Sequence, residues 1–358
     1  MSLGRIAAVG AAFPRHRYEQ ETLLAALKVH WAERYFNLDR IEQLHKNVLV
    51  GTRHLALALE EYPGLKGFGD SNAAWIRVAE EVGAEAVTAA LAAAGLHSRD
   101  IDALYFVTVT GIATPSIDAR LVERLGLRPD VKRVPIFGLG CVAGAAGIAR
   151  AADYVRGAPD EVAVLLSVEL CSLTLQRDDL SIPNLIASGL FGDGAAAVVV
   201  VGTERARRLR ANGPEILATK SVFYPGTERV MGWDVRSSGF QIVLSADVPK
   251  VVEEHLRKDV DLFLAEQGLD RGAITSFVCH PGGPKVLEAM ARALEAPAGA
   301  LDLTWKSLAE VGNLSSTSVL LVLEATLASA EHRPASGTAG LLVALGPGFC
   351  SELVLLRW

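Results

Sequence analysis

The chain has 358 residues, half of them hydrophobic and 21% charged, so it is long enough for two domains or two similar halves and too apolar for disorder. Its 35 basic and 41 acidic side chains give a net charge of −6 spread along the length. That balance argues against a nucleic-acid-binding surface and leaves anionic small molecules open.

A short apolar run up to Pro14 reads as a strand, without the basic start and longer apolar segment of a signal peptide. A long helix is predicted over 72–96, ending in Ala94-Gly95-Leu96, and a strand over 101–109 follows Asp100. Val134-Pro135-Ile136-Phe137 reads as a buried strand, and Cys141 follows a Gly-rich turn where an Ala-rich helix begins. Apolar strands at 161–168 and 195–201 close this half, and the arginine-rich stretch 203–210 reads as a solvated surface segment at the junction. The halves are therefore drawn as 1–212 and 213–358. The second repeats the first: a helix over 247–269 ending in Gln267-Gly268-Leu269, then Asp270, a strand over 274–279 and a helix from Pro284. Asn313 heads another helix, and strands at 339–345 and 351–356 close the chain. Gly268 lies 173 positions after Gly95, and Asn313 lies 172 after Cys141. Continuously apolar strands suit sheets covered on both faces, so an α/β fold of two pseudo-repeated halves is expected, with helix starts converging near a central dyad. The uncharged stretch 334–351 is interrupted by Gly337 and Gly346-Pro347-Gly348, so no membrane span is expected and the protein reads as cytoplasmic.

Four cysteines, Cys141, Cys171, Cys279 and Cys350, stand far apart with no CxxC pair, and there is no HExxH motif. Neither a metal site nor a disulfide framework is expected, and the thiols are free for chemistry. Cys141 sits in Gly138-Leu139-Gly140-Cys141-Val142-Ala143-Gly144, at a helix N-terminus whose dipole and free N–H groups favour a thiolate. A buried structural cysteine is the competing reading. The same glycines also match a dinucleotide-binding spacing, but that fingerprint opens the first strand of its fold, whereas this one lies mid-chain. His280 opens His280-Pro281-Gly282-Gly283-Pro284, a rigid turn after a strand, where an imidazole can pair with a thiolate or donate to an oxyanion. Asn313 either caps its helix or donates its amide to developing negative charge. Together the three read as a carbon–carbon-forming thioester site.

With these residues the chain resembles the type III polyketide synthases, the chalcone synthase-like family with the thiolase fold. The resemblance runs over nearly the whole length, through Gly140-Cys141, Leu190-Phe191-Gly192-Asp193-Gly194, His280-Pro281-Gly282-Gly283-Pro284, Gly312-Asn313-Leu314-Ser315-Ser316 and Gly346-Pro347-Gly348. It implies a five-layered αβαβα arrangement and a homodimer. It implies that Cys141, paired with His280, takes a starter from acyl-CoA, while His280 and Asn313 hold the thioester carbonyl of malonyl-CoA as CO2 leaves. The resulting enolate attacks the Cys141 thioester, and repeated cycles give a chain that cyclises, with coenzyme A thioesters as substrates and no metal or redox cofactor. Phe191 matches the family's gate residue, and Arg53 matches a basic position contacting coenzyme A phosphates, although its neighbours are Val50 and Gly51. Gly346, Pro347 and Gly348 complete the substrate-binding set. Ile242 and Thr114 match positions that plant relatives fill with larger side chains, and Thr110 and Cys171 match positions lining an acyl tunnel in long-chain-specific bacterial relatives, which implies an apolar channel for a long-chain starter; Trp233, where plant relatives have a glycine, refills part of it. The expected products are alkylpyrones or alkylresorcinols. The alternatives are a tetrahydroxynaphthalene synthase using malonyl-CoA alone and a ketoacyl synthase of the initiating type.

Overall fold

The structure, a computed structural model, describes every residue except Met1, Glu33 and Phe36. The chain opens with β1 (Gly4–Ala12), β2 (His16–Glu19), α1 (Gln20–Trp31), α2 (Leu38–Asn47), β3 (Thr52–Leu55) and the long α3 (Phe68–Ala94). Then come β4 (Ala103–Thr108), α4 (Ile117–Leu125), β5 (Lys132–Phe137), α5 (Ala143–Gly157), β6 (Val162–Leu170), α6 (Ile182–Leu190) and β7 (Asp193–Val201). Past α7 (Thr203–Leu209) the second half runs β8 (Glu215–Phe223), β9 (Met231–Arg236), β10 (Gly239–Leu244), α8 (Val248–Glu266) and β11 (Ile274–Cys279). It ends with α9 (Pro284–Leu294), α10 (Asp302–Val311), α11 (Ser316–Ala328), β12 (Ala339–Gly346) and β13 (Cys350–Arg357).

Nine strands line up as β11-β12-β13-β8-β1-β7-β6-β4-β5. The two halves join where Gly4 and Arg5 of β1 pair with Ile216 and Glu215 of β8. β4 runs parallel to β6, which pairs antiparallel with β7, and β7 with β1. β11, β12, β13 and β8 repeat that sequence of parallel, antiparallel and antiparallel pairings. The Gly-Leu phrase is the same helix stop in both halves. Gly95 (φ +66°) and Gly268 (φ +70°) turn left-handed, and the next N–H, Leu96 or Leu269, closes on the carbonyl of Leu91 or Leu264.

Strand alternation makes the layers. On β6, Val162, Val164, Leu166 and Val168 pack in one core with Val78, Val82 and Val87 of α3. Ala163 and Leu165 point the other way, into a core that contains α5 and α11. From the second half, Leu342, Ala344, Val354 and Leu356 reach this same central core, while Leu341, Val343, Leu353 and Leu355 pack outward with α8 and α9. The result is helix, sheet, helix, sheet, helix: a thiolase fold. Enclosed by the two halves of the sheet, α11 is buried along most of its length, with Val319 to Leu323 buried in succession.

One local expectation changes, and the surface arginine stretch keeps its place as a short helix. Val134-Pro135-Ile136-Phe137 belongs to β5, an edge strand with Pro135 exposed and Phe137 51% exposed, not a buried one. Proline lacks the N–H a central strand needs, so it suits the edge. The arginine-rich stretch winds into α7, where Arg205 pairs with Asp100 at 2.6 Å and Arg208 with Asp160 at 2.7 Å. Among the described residues no helix is long and apolar enough to cross a membrane.

Candidate active site

The turn before α5 is built from glycines that have no room for a side chain. A Cβ on Gly140 (φ +58°) would come within 2.6 Å of the Pro347 ring, and one on Gly346 within 2.8 Å of the Val142 nitrogen. The loop 346–348 therefore packs directly on the cysteine turn. One turn further, a Cβ on Gly144 would lie 2.3 Å from the Ser316 carbonyl, so the heads of α5 and α11 cross in contact. This crossing sets the Cys141 thiol, 6% exposed, at 3.6 Å from the Ser315 hydroxyl. Ser315 itself has φ +47°, a strained value for a residue with a side chain.

Asn313 is fixed at both ends of its peptide unit: its N–H donates to the Leu190 carbonyl at 2.9 Å and its carbonyl accepts from Gly192 N–H at 3.0 Å. Its side-chain oxygen accepts from Ser315 N–H at 2.8 Å. That bond orients the amide so that its NH2, without a hydrogen bond to any described residue, is available to a substrate oxygen. Asn313 does not cap α11, whose N-cap is Ser315; its oxygen braces the turn leading into the helix, and its nitrogen has no partner among the described residues. His280 ends β11, its N–H bonded to the Val343 carbonyl at 2.9 Å on the neighbouring strand. Neither ring nitrogen hydrogen-bonds a described residue, and Nδ1 is sealed from solvent. Cys141 and the Asn313–Ser315 segment are in direct contact, whereas His280 reaches the cluster only as the next strand end.

Burial governs the charges. It pushes the Cys141 thiol up to about 12, while the Ser315 contact pulls the other way and the Glu169 carboxylate adds to the rise. The thiolate expected from the helix start is therefore opposed by dehydration. Burial likewise holds the His280 imidazole down at about 3, in its neutral form.

Beneath the cysteine lies a buried polar network. Glu169, on β6, accepts from Val109 N–H at 3.1 Å, from the Thr110 hydroxyl at 2.9 Å, from Thr108 at 3.3 Å and from the Ser316 hydroxyl. Thr110 also accepts from the Trp75 indole at 3.2 Å and from Leu170 N–H at 3.0 Å. Its hydroxyl is thus fully engaged inside the protein, and Thr110 does not line the large cavity; nor does the exposed Thr114.

That cavity, of about 570 Å³, lies beside the cysteine cluster and is lined by Cys171, Phe191, Trp233, Ile242 and several leucines. Trp233 and Ile242 are direct partners across the β9–β10 hairpin. Cys141, His280 and Asn313 are not in its wall; Phe191 joins the two regions, lining the cavity while its main chain bridges to Asn313. Arg53 departs from its expected role. Its side chain is buried, 3% exposed, and Nη1 donates to the carbonyls of Ser188 and Phe191, both at 2.8 Å, so it is committed to main chain and not presented to phosphates. Sequence reasoning missed Ser315 and Glu169. A single carboxylate inside the apolar run of β6 was the available signal for the latter.

The two halves thus bring together a buried cysteine turn, the Asn313–Ser315 segment packed on it and the strand end that carries His280. Residues 2–204 match the N-terminal domain of chalcone and stilbene synthases, and 215–358 match the C-terminal domain. The chain belongs to this family; it is a type III polyketide synthase, an acyl-transferring enzyme that condenses malonyl-CoA iteratively. It is 54% identical, over 99% of its length and 93% of the relative's, to the 1,3,6,8-tetrahydroxynaphthalene synthase of Streptomyces peucetius subsp. caesius. It is 31% identical to the phloroglucinol synthase of Pseudomonas fluorescens, with 97% of each chain covered. The crystal structure of the tetrahydroxynaphthalene synthase of Streptomyces coelicolor A3(2), a bacterial type III polyketide synthase, superposes with a TM-score of 0.91 at 32% identity, covering 99% of both chains.

Proposed function

We propose that this enzyme builds tetrahydroxynaphthalene from malonyl-CoA alone. The observation that carries this reading is the 54% identity to the Streptomyces peucetius synthase over 99% of the chain. Two features of the site support it against a long-chain starter: the Thr110 hydroxyl is consumed by Glu169, Trp75 and Leu170, and the Trp233 side chain takes up room in the cavity wall.

In this mechanism the Cys141 sulfur attacks the starter thioester, and its proton passes to His280 and from there to coenzyme A, which leaves as its thiol. His280 and the Asn313 amide then hold the carbonyl of an incoming malonyl thioester. The C–CO2 bond breaks, its electron pair enters the enolate that these donors stabilise, and the enolate carbon displaces Cys141 from the acyl group. The lengthened chain reloads on Cys141 and finally cyclises. Two thioesters supply the activation, so no dissociable cofactor is required. A homodimer in the cytoplasm is part of the proposal, supported by exposed Ile112, Phe137 and Leu139 on and around the open β5 edge.

A second reading, an alkylpyrone or alkylresorcinol synthase with a fatty acyl-CoA starter, is favoured by one feature, the leucines at 23, 27, 55, 59 and 65 around the cavity. Each methylene buried among them contributes about 0.8 kcal/mol. Mass spectrometry with labelled malonyl-CoA, with and without acyl-CoA starters of graded length, separates the two. Naphthalene products from malonyl-CoA alone are expected; products that appear only with long starters would replace the first reading by the second. Carbon–carbon bond formation surviving Cys141→Ala would remove the nucleophile from both.

A further inference from the structure

We infer that Arg53 is a positioning residue for the gate and for the carbonyl-holding amide, and not a contact for coenzyme A phosphates. The inference rests on the proposed function, in which Phe191 and Asn313 face the reacting thioesters.

Arg53 leaves β3 and enters the protein between the two segments that carry those residues. Its Nη1 ties the carbonyl of Ser188, in the last turn of α6, to the carbonyl of Phe191 just beyond it. One planar nitrogen thereby fixes how the chain leaves α6, which sets where Phe191 stands. The stem does the second part. Its Cγ and Cδ would each be 3.3 Å from a Cβ placed on Gly312, and Cγ would be 3.6 Å from one on Gly192. Gly192 and Gly312 adjoin Phe191 and Asn313 respectively, and the bonds from Asn313 N–H to Leu190 and from Gly192 N–H to Asn313 join the two strands of chain. Arg53 thus packs on one side of a two-bond bridge and hydrogen-bonds the residue in its middle.

Arg53 borders the large cavity but is only 3% exposed there, a poor position for a phosphate contact. Arg53 Nε is sealed from solvent without a partner, so the guanidinium gives up one donor to keep its two carbonyl bonds. Its charge is balanced internally by Asp193, fully buried, which accepts from Ala56 N–H at 2.6 Å and Ser172 N–H at 2.8 Å. A triphosphorylated ligand would meet a cation already neutralised and enclosed.

The test compares wild type, Arg53→Lys and Arg53→Met on malonyl-CoA and on malonyl-N-acetylcysteamine, a thioester with no phosphate. A misplaced gate and amide cost rate, not affinity for the carrier, so kcat of Arg53→Met should fall about 100-fold on both substrates with KM for malonyl-CoA unchanged. Lysine, which restores the charge and one bond, should recover part of the loss. Phe191→Ala supplies a coupling check: once the gate side chain is gone, replacing Arg53 should cost clearly less than it does in wild type. Amide exchange read by mass spectrometry should quicken at Gly192 and Asn313 in Arg53→Lys, and that measurement decides the matter should Arg53→Met not fold. A loss seen only with malonyl-CoA and only in KM would overturn the inference in favour of a phosphate contact. Unchanged kinetics and unchanged exchange would overturn it outright. Failure of the proposed function has a different signature: wild type inactive on both thioesters, or Cys141→Ala active.

Discussion

The Ser315 hydroxyl contacts the nucleophile, and its bond to Sγ works against the rise that burial imposes on the thiol. Ser315→Ala should therefore raise the pH midpoint of Cys141 alkylation by iodoacetamide by up to about one unit, the worth of a hydrogen bond to a charged group. Glu169→Gln should move the same midpoint down, because the Glu169 charge raises the thiol. It should also destabilise the fold by about 1–3 kcal/mol, since its amide NH2 would face donors that now converge on a carboxylate. Opposite shifts in one assay separate the two contributions; a common direction would show that both substitutions act by distorting the turn. The places of Cys141, His280 and Asn313 in the fold were legible because each follows a turn or strand end that only particular residues can build. Ser315, Glu169 and the bracing role of Arg53 were not, because sequence does not say which polar side chains face inward. An arginine in a short polar strand reads as surface until the elements around it are in place.

Where α5 meets α11, contact is possible only because Gly144 has no side chain. Gly144→Ala should push the helix heads apart and cost about 1–3 kcal/mol through overpacking, with slower acyl loading because Cys141 and Ser315 lie on the separated ends. Gly157, the last residue of the same helix, has open space where a Cβ would go, and Gly157→Ala should be neutral or stabilise by up to about 1 kcal/mol. Urea unfolding of both variants checks the contrast; equal effects would mean that helix propensity outweighs the crossing. The repeated halves were readable from this kind of local grammar: the Gly-Leu stops, the apolar strands and Pro284 opening α9 all appear where the residues demand them. The burial of β5 was misread because a short apolar run looks alike at a sheet's centre and its edge, and only the neighbour count in the finished sheet separates them. The counterpart of that strand is absent before α11, where α10 stands, so the repeat is one of layers and not of every element.

The two halves place a buried histidine on either side of the site region, and this links the stability of the molecule to pH. His45, on α2, bonds the Ser188 hydroxyl at 3.1 Å and is held by burial at about 4; His280, on the other half, is held at about 3. In the unfolded chain both take up a proton near pH 6.5. Below that pH the unfolded state binds more protons than the folded one, so each histidine contributes stability that is complete above about 6.5 and is lost as pH falls towards its folded value. Asp193 works in the opposite sense: burial raises it to about 6, the folded state binds the extra proton between about 4 and 6, and its contribution declines as pH rises through that window. Buried Glu169, Glu324 and Glu352 are raised in the same sense as Asp193, and His54 is lowered like the other two histidines, so the histidine contribution is read one residue at a time. His45→Gln isolates one of them. The difference in unfolding free energy between wild type and this variant should widen with pH by about 1.4 kcal/mol per unit between about 4 and about 6.5, then stay level. Urea titrations across that range give the difference directly. A difference that does not vary with pH would mean that His45 protonates as readily in the folded protein as in the unfolded chain, and the α2–α6 contact behind the gate would then have to admit water.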